Sequence, residues 1–158
     1  MLDGAGTYLA AALPTADEDA GDGDAADTLF LPVGATAHGA RPLDADLPDA
    51  AYDATREVLL ALQRLLADER FDATRLVVVT RGAVAADARE EVPDLAAAPV
   101  WGLVRTAQAE HPGRLVLVDL DPATEPDGGE DVTGTLRRAL ATGEPQLAIR
   151  GGTLRAPG

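Results

Sequence analysis

Two short apolar runs, Leu76–Val79 and Leu115–Val118, constrain this fold more than any other feature of the chain. Each is too short for a helix and rich in β-branched residues. That composition suits strands buried on both faces of a parallel sheet. Between the runs, Val100, Leu103, Val104 and Ala107 recur at helical spacing, and the helix closes on Glu110-His111-Pro112-Gly113. Pro112 has no N–H for the next helical bond, and Gly113 accepts the backbone of a reversal. Strand, helix, strand is the βαβ unit, whose crossover is almost always right-handed. The class this dictates is α/β.

The flanking segments extend the unit. Thr28–Val33 (TLFLPV) reads as a strand, with Pro32 at its exit or on an edge. Ala50–Glu69 reads as an amphipathic helix that carries Thr55, Val58, Leu59, Leu62, Leu65 and Leu66 on one face. Asp49, just after Pro48, is placed to cap its start, and Asp68-Glu69-Arg70 forms its solvated end. Residues 122–131 are a loop, and Val132, Leu136 and Leu140 give a short helix stopped at Gly143. GEPQLAIR supplies a further strand, and Gly151-Gly152 a two-residue hairpin into Thr153–Ala156. The expected whole is three βα units and a hairpin, a mostly parallel sheet with helices on both faces.

Composition bounds what such a fold can do. At 158 residues the chain buries one ordinary core, so a single domain over residues 28–158 is expected. Residues 1–27 contain ADEDAGDGDAAD, acidic and without apolar periodicity, which reads as a poorly ordered linker. Aromatic residues are only 3%, so the core is filled with Ala, Val and Leu. There is no Cys, which removes disulfides and thiolate metal sites. No run reaches the roughly 20 apolar residues that span a bilayer, and no basic segment precedes an apolar one. No membrane partner is expected, and the cytoplasm is the default. The net charge is −14, and all 13 basic residues are Arg. A surface this acidic repels phosphate backbones, so no nucleic-acid partner is expected either.

Five residues or groups of residues invite a sharper reading, and each has a plainer one. Asp17, Asp19, Asp22 and Asp24 are spaced like calcium ligands, but no register supplies both the Gly and the Glu of an EF-hand, so a linker is the simpler account. Gly34 and Gly39 are spaced as in a phosphate-binding loop, but Ala40-Arg41 replaces the Lys and the Ser or Thr, and no helix follows directly. Arg81 ends a strand at its carboxyl edge, where open α/β sheets place ligands, and could clamp an anion. The plainer reading is a salt bridge to a nearby carboxylate such as Glu90 or Glu91. Trp101, the only Trp, could stack on a cofactor ring, but packing against the sheet or a partner subdomain is the commoner outcome. His111, at a helix end, reads as a cap and not as a base.

Three separated stretches, VVVTRGAVA, PDLAAAPVWGLVRTAQAEHPGRLVLVDLD and GEPQLAIRGG, agree in order and spacing with one known family. Over roughly residues 50 to 155 the chain resembles the structural subdomain of the ketoreductase in modular type I polyketide synthases. The stretch LLALQRLLADERFDATRLVVVTRGAVA is also similar to modules that carry an enoylreductase. The resemblance implies a truncated Rossmann-like fold and a place in polyketide, including antibiotic, biosynthesis. In that family the ketoreductase has two Rossmann-like halves, of which only the second binds NADPH and reduces the β-keto group. This chain looks like the first half, so its implied partners are the catalytic subdomain and neighbouring synthase domains. The family opens with one or two further strands that residues 1–28 do not show, and the chain ends in APG. The start is therefore expected to be either trimmed or unusually degenerate, and the end reads as if a linker to another domain were cut.

Laid over the catalytic half, the central helix puts Val100 where the proton-donating Tyr stands, and Val104 where the Asn or Lys stands four residues later. Neither valine can donate or orient a proton. The Ser that polarises the carbonyl has its counterpart near Thr80 and Arg81. Pro99 replaces an Ala-like residue and sets the helix start near Ala98. The expectation is no catalytic, cofactor-binding or metal-binding residue in this chain, with NADPH held by the partner subdomain. An active short-chain reductase is the contrary hypothesis, and the lack of G-x-G-x-x-G, of Tyr-x-x-x-Lys and of any Lys argues against it. A free-standing acidic interaction domain on the same fold is the third.

Overall fold

The computed structural model describes residues 28–34, 47–67, 69–86, 89–122 and 132–157. The elements run β1 (Thr28–Pro32), α1 (Leu47–Ala67), a 3-10 turn (Glu69–Phe71), β2 (Arg75–Arg81), α2 (Ala98–Glu110), β3 (Leu115–Leu120), α3 (Val132–Ala141), β4 (Gln146–Arg150) and β5 (Thr153–Arg155). The strands form one sheet in the order β1-β2-β3-β4-β5. The first three pairings are parallel and β4–β5 is antiparallel. The expected three βα units and closing hairpin are therefore present. Gly151 and Gly152 both take positive φ, 56° and 77°, as the tight hairpin turn requires.

Side-chain alternation along the strands divides the core in two. Leu29, Leu31, Leu76, Val78, Leu115 and Leu117 face α1 and α2, and all are almost completely buried. Val77, Val79, Val116 and Val118 face the other way and meet Leu136 and Ala139 of α3. Each such side chain contributes about 1.5–3 kcal/mol when fully removed from water. Both faces of β2 and β3 are covered, so the two founding runs are apolar throughout instead of alternating. Strand order advances in one direction while α3 lies opposite α1 and α2. The third crossover therefore has the opposite hand to the first two, and one rule of handedness cannot hold for all three. Covering Val116 and Val118, which α1 and α2 cannot reach, outweighs that preference.

Two boundaries differ from expectation. α1 begins at Leu47, so Pro48 and Asp49 lie inside its first turn, and Asp49 complements the helix dipole there instead of capping the start. α1 also ends at Ala67, and Glu69 opens the 3-10 turn. Its buried stripe is Ala50, Ala54, Val58, Ala61, Leu62 and Leu65, whereas Leu59 is exposed. Val58, Leu62 and Leu65 belong to the expected face, and the stripe is rotated from it toward Ala50, Ala54 and Ala61, which a reading weighted by bulky apolar residues passes over. α2 begins at Ala98 as expected, with Pro99 in its first turn and no side-chain cap at Ala97. It ends at His111, whose backbone N–H donates to Ala107 O at 2.8 Å. Gly113, at φ 80°, then reverses the chain into β3.

Candidate functional site

Thr80, Asp119 and Arg150 stand at the carboxyl ends of β2, β3 and β4, on the face that carries α2. Strand register brings them together, since Thr80 is the cross-strand partner of Asp119, and Asp119 that of Ala148. Asp119 is fully buried, and both its carboxylate oxygens are engaged. Oδ1 accepts the Thr80 hydroxyl at 2.5 Å and the Ala83 backbone N–H at 2.8 Å. Oδ2 accepts Arg150 Nη2 at 2.6 Å. Thr80 Oγ1 in turn accepts Trp101 Nε1–H at 3.0 Å.

Arg150 spends its whole guanidinium on this network. Nε donates to Glu90, and Nη2 donates to Val84 O at 3.0 Å as well as to Asp119. Nη1 lies within reach of Ile149 O at 2.9 Å, and of Asp119 O and Leu120 O at 3.2 Å each. Burial opposes the charge on Arg150, but hydrogen bonds and attraction from Asp119 and Glu90 outweigh it and raise its pKa above the ordinary arginine value. One cation is held between two carboxylates, and the bonds to Val84 and Glu90 fasten the segment after β2 over the sheet end. The Thr80 hydroxyl gives its proton to Asp119 and takes one from Trp101, so it is oriented as structural mortar.

The residues singled out from sequence fall into place around this network. Trp101 is 2% exposed and packed against the sheet, as expected. The Arg105 guanidinium lies 5.5 Å from its ring centroid. Val100 and Val104 are both fully buried in the core. Arg81 Nη1 donates to Asp121 O at 3.1 Å, whereas Glu90, one carboxylate expected for it, pairs with Arg150 instead. His111 closes α2 through its backbone. Gly34 has φ +64°, and a Cβ there would meet Asp94 Oδ2 at 2.5 Å and Ala97 Cβ at 2.9 Å, so the space beside it is already filled by protein. Gly39, Ala40 and Arg41, and the Asp17, Asp19, Asp22 and Asp24 cluster with the expected linker, lie outside the described residues.

Asp119 and Arg150 are the residues that sequence reading missed. The signal was present: a lone carboxylate at the penultimate position of an apolar strand, and an arginine closing another strand just before Gly-Gly. The unbroken apolar run stops at Val118, but β3 continues through Leu120.

Comparison with known proteins bears on the same elements. The family model described as the polyketide synthase extender module SpnB, Rossmann fold domain, matches residues 3–158. Polyketide synthase GfsE of Streptomyces halstedii is 56% identical over 107 residues, 67% of this chain and 3% of that protein. The spectinabilin polyketide synthase system protein NorB of Streptomyces orinoci is 47% identical over 123 residues, 74% of this chain and 5% of that protein. Among solved structures, a C2-type ketoreductase from a modular polyketide synthase aligns with TM-score 0.50 and 32% identity, over 64% of this chain and 22% of that one. The chain thus spans only a few per cent of the curated relatives it matches. No helix among the described residues is long and apolar enough to cross a membrane.

Proposed function

The chain belongs to the Rossmann-fold domain family of polyketide synthase extender module SpnB, and from that premise we propose that it is the non-catalytic half of a β-ketoacyl reductase. It supports a separate half that binds NADPH and reduces the β-keto group. The observation that carries this reading is the burial of Val100 and Val104, both 0% exposed. These are the positions where the resemblance sets the proton donor and its partner. A valine there has no proton to give, and no path to a substrate.

The carboxyl edge does not fit a dinucleotide. Arg150, the cation at this edge that could meet a pyrophosphate, is already committed to Asp119 and Glu90. Gly34, at the end of β1, leaves no room for phosphate beside its backbone. NADPH is assigned to the partner half.

Support for docking comes from α1. Tyr52, Leu59 and Leu60 are 66%, 41% and 42% exposed on its outer side, and Leu95, just ahead of α2, is 55% exposed. Large apolar side chains grouped along the outer side of one helix, as Tyr52, Leu59 and Leu60 are, mark an interaction surface. The proposed occupant is the catalytic ketoreductase half, within a cytoplasmic synthase. The test is to supply that half with and without this chain and to follow NADPH-dependent reduction of a β-ketoacyl thioester. Higher activity and melting temperature with the chain present are expected. Equal values in both arms would sink the supporting role and leave an acidic interaction domain.

A further inference from the structure

Open α/β sheets place ligands at the carboxyl ends of their strands, but here the Asp119–Arg150 network fills that end. A groove of about 510 Å3 lies at the other end, between the amino ends of β2, β3 and β4 and the C-terminal halves of α2 and α3. Small-molecule sites measure roughly 300–1,000 Å3. Pro112, Val116 and Leu140 contribute apolar lining, and the charged lining is Arg75, Arg105 and Glu144. The ketoreductase role proposed above makes no use of this groove.

Both arginines are unspent. The chain has 27 acidic residues for 13 arginines, so a carboxylate partner is easy to find, yet among the described residues neither Arg75 nor Arg105 has one. Helix dipoles do not account for them either, since Arg75 is on a strand and no basic residue stands in the last turn of α2. Arg105 is also fixed in advance. Its guanidinium lies over the Trp101 ring, and its Nε donates to Gln146 Oε1 at 3.0 Å. Gln146 Nε2 donates to Gln108 Oε1 at 3.1 Å, and Gln108 Nε2 donates to Leu115 O and Pro145 O at 3.1 and 2.9 Å. This chain of bonds ties Arg105 to the backbone of the sheet edge through Nε alone. Among the described residues its Nη1 and Nη2 donors are unengaged. A guanidinium held this way loses little further freedom on meeting an oxyanion.

We propose that this groove binds a small organic anion, an oxyanion head on an apolar tail. The head, a carboxylate or a phosphate, supplies the counter-charge that Arg75 and Arg105 both lack. The tail lies on Val116 and Leu140, where it leaves water. Both parts are needed, because a solvent-exposed ion pair by itself contributes little. With a net charge of −14 the rest of the surface opposes anions, so binding is confined to this spot.

Trp101, the only Trp and the neighbour of Arg105, reports on binding. The 158-residue chain is titrated with octyl phosphate and with octanoate, and Trp fluorescence and amide chemical shifts are followed. Saturable binding is expected, with shifts at the side-chain amides of Gln108 and Gln146, and the tighter of the two compounds identifies the head. Inorganic phosphate and octanol, head and tail alone, are expected to bind at least about tenfold more weakly. Arg75→Gln and Arg105→Gln are each expected to weaken binding about tenfold, and Arg105→Lys, which keeps the charge but not the fork, by less. Arg56→Gln, an exposed change on α1, is expected to leave affinity unchanged. Arg75 is only half-buried and Arg105 exposed, so melting temperatures close to wild type are expected for these variants. No saturation by about 10 mM of either compound, or unchanged affinity in the Arg75 and Arg105 variants, overturns the proposal. So do shifts confined to the outer side of α1. The catalytic half takes no part in the experiment, so failure here leaves the supporting role untouched.

Discussion

At the scale of single residues, Arg150 is where charge, burial and hydrogen bonding meet. Removing one member of a buried ion pair leaves the other uncompensated, at a cost of about 3–5 kcal/mol. Arg150→Met is therefore expected to lower stability by that amount in urea melts, with the Asp119→Leu/Arg150→Met double variant recovering part of the loss. A single-variant loss below about 1 kcal/mol would show that the network holds nothing together. The pH dependence has a definite sign. Because the folded-state pKa of Arg150 is raised, its contribution is full below the ordinary arginine value and is lost only as pH climbs above it. The stability gap between wild type and Arg150→Met is thus expected to stay constant from roughly pH 7 to pH 10, below the range in which arginine titrates. Trp101 separates ring from hydrogen bond. Trp101→Phe gives up the bond to Thr80 for about 1 kcal/mol, whereas Trp101→Ala costs about 3–5 kcal/mol through the cavity it leaves. Comparable losses in the two variants would contradict this division.

At the scale of elements, α2 is built as a core helix. Its inner face offers Val100, Trp101 and Val104 to the sheet, and all three are buried there. Writing the catalytic pair back in, as Val100→Tyr with Val104→Asn, is expected to overpack that face at position 100, at a cost of about 1–3 kcal/mol, and to bury an unpartnered amide at position 104 for about 1–3 kcal/mol more. No reductase activity is expected to appear, and nicotinamide fluorescence titrated against the variant is expected to stay flat. Measurable turnover would mean that the helix stands nearer to a working site than its burial allows. The turn after β2 is similarly fixed: Gly82 has φ +69°, and an added Cβ would lie 2.7 Å from Pro93 Cγ. That turn delivers Ala83 to Asp119 and Val84 to Arg150.

At the scale of the whole molecule, stability meets the proposed docking role at the outer side of α1. Tyr52→Glu and Leu59→Glu change exposed residues, so each is expected to alter stability by less than about 0.5 kcal/mol. Both are expected to weaken association with the catalytic half by tenfold or more, read by gel filtration or titration calorimetry. Unchanged affinity would move the docking surface elsewhere on the fold. A domain that leaves such side chains in water gains apparent stability when they are covered, because binding only the folded state shifts the folding equilibrium.

What the sequence determined by itself is the order and type of the elements. The runs Leu76–Val79 and Leu115–Val118, the helical spacing of Val100 and Val104, and the Gly151-Gly152 turn all report local preferences, and each element formed where those preferences pointed. The resemblance to ketoreductases was legible for the same reason, since it rests on ordered stretches of chain. Tertiary structure alone decided the rest. The buried face of α1 depends on how closely alanines let it approach α2, which apolar weight along the helix does not measure. α3 crosses to the far side of the sheet because Val116 and Val118 need cover there, a demand made by strands distant in sequence. The Thr80–Asp119–Arg150 network joins residues up to 70 positions apart through strand register. Whether a charge inside a strand is tolerated depends on a partner that only the folded sheet supplies.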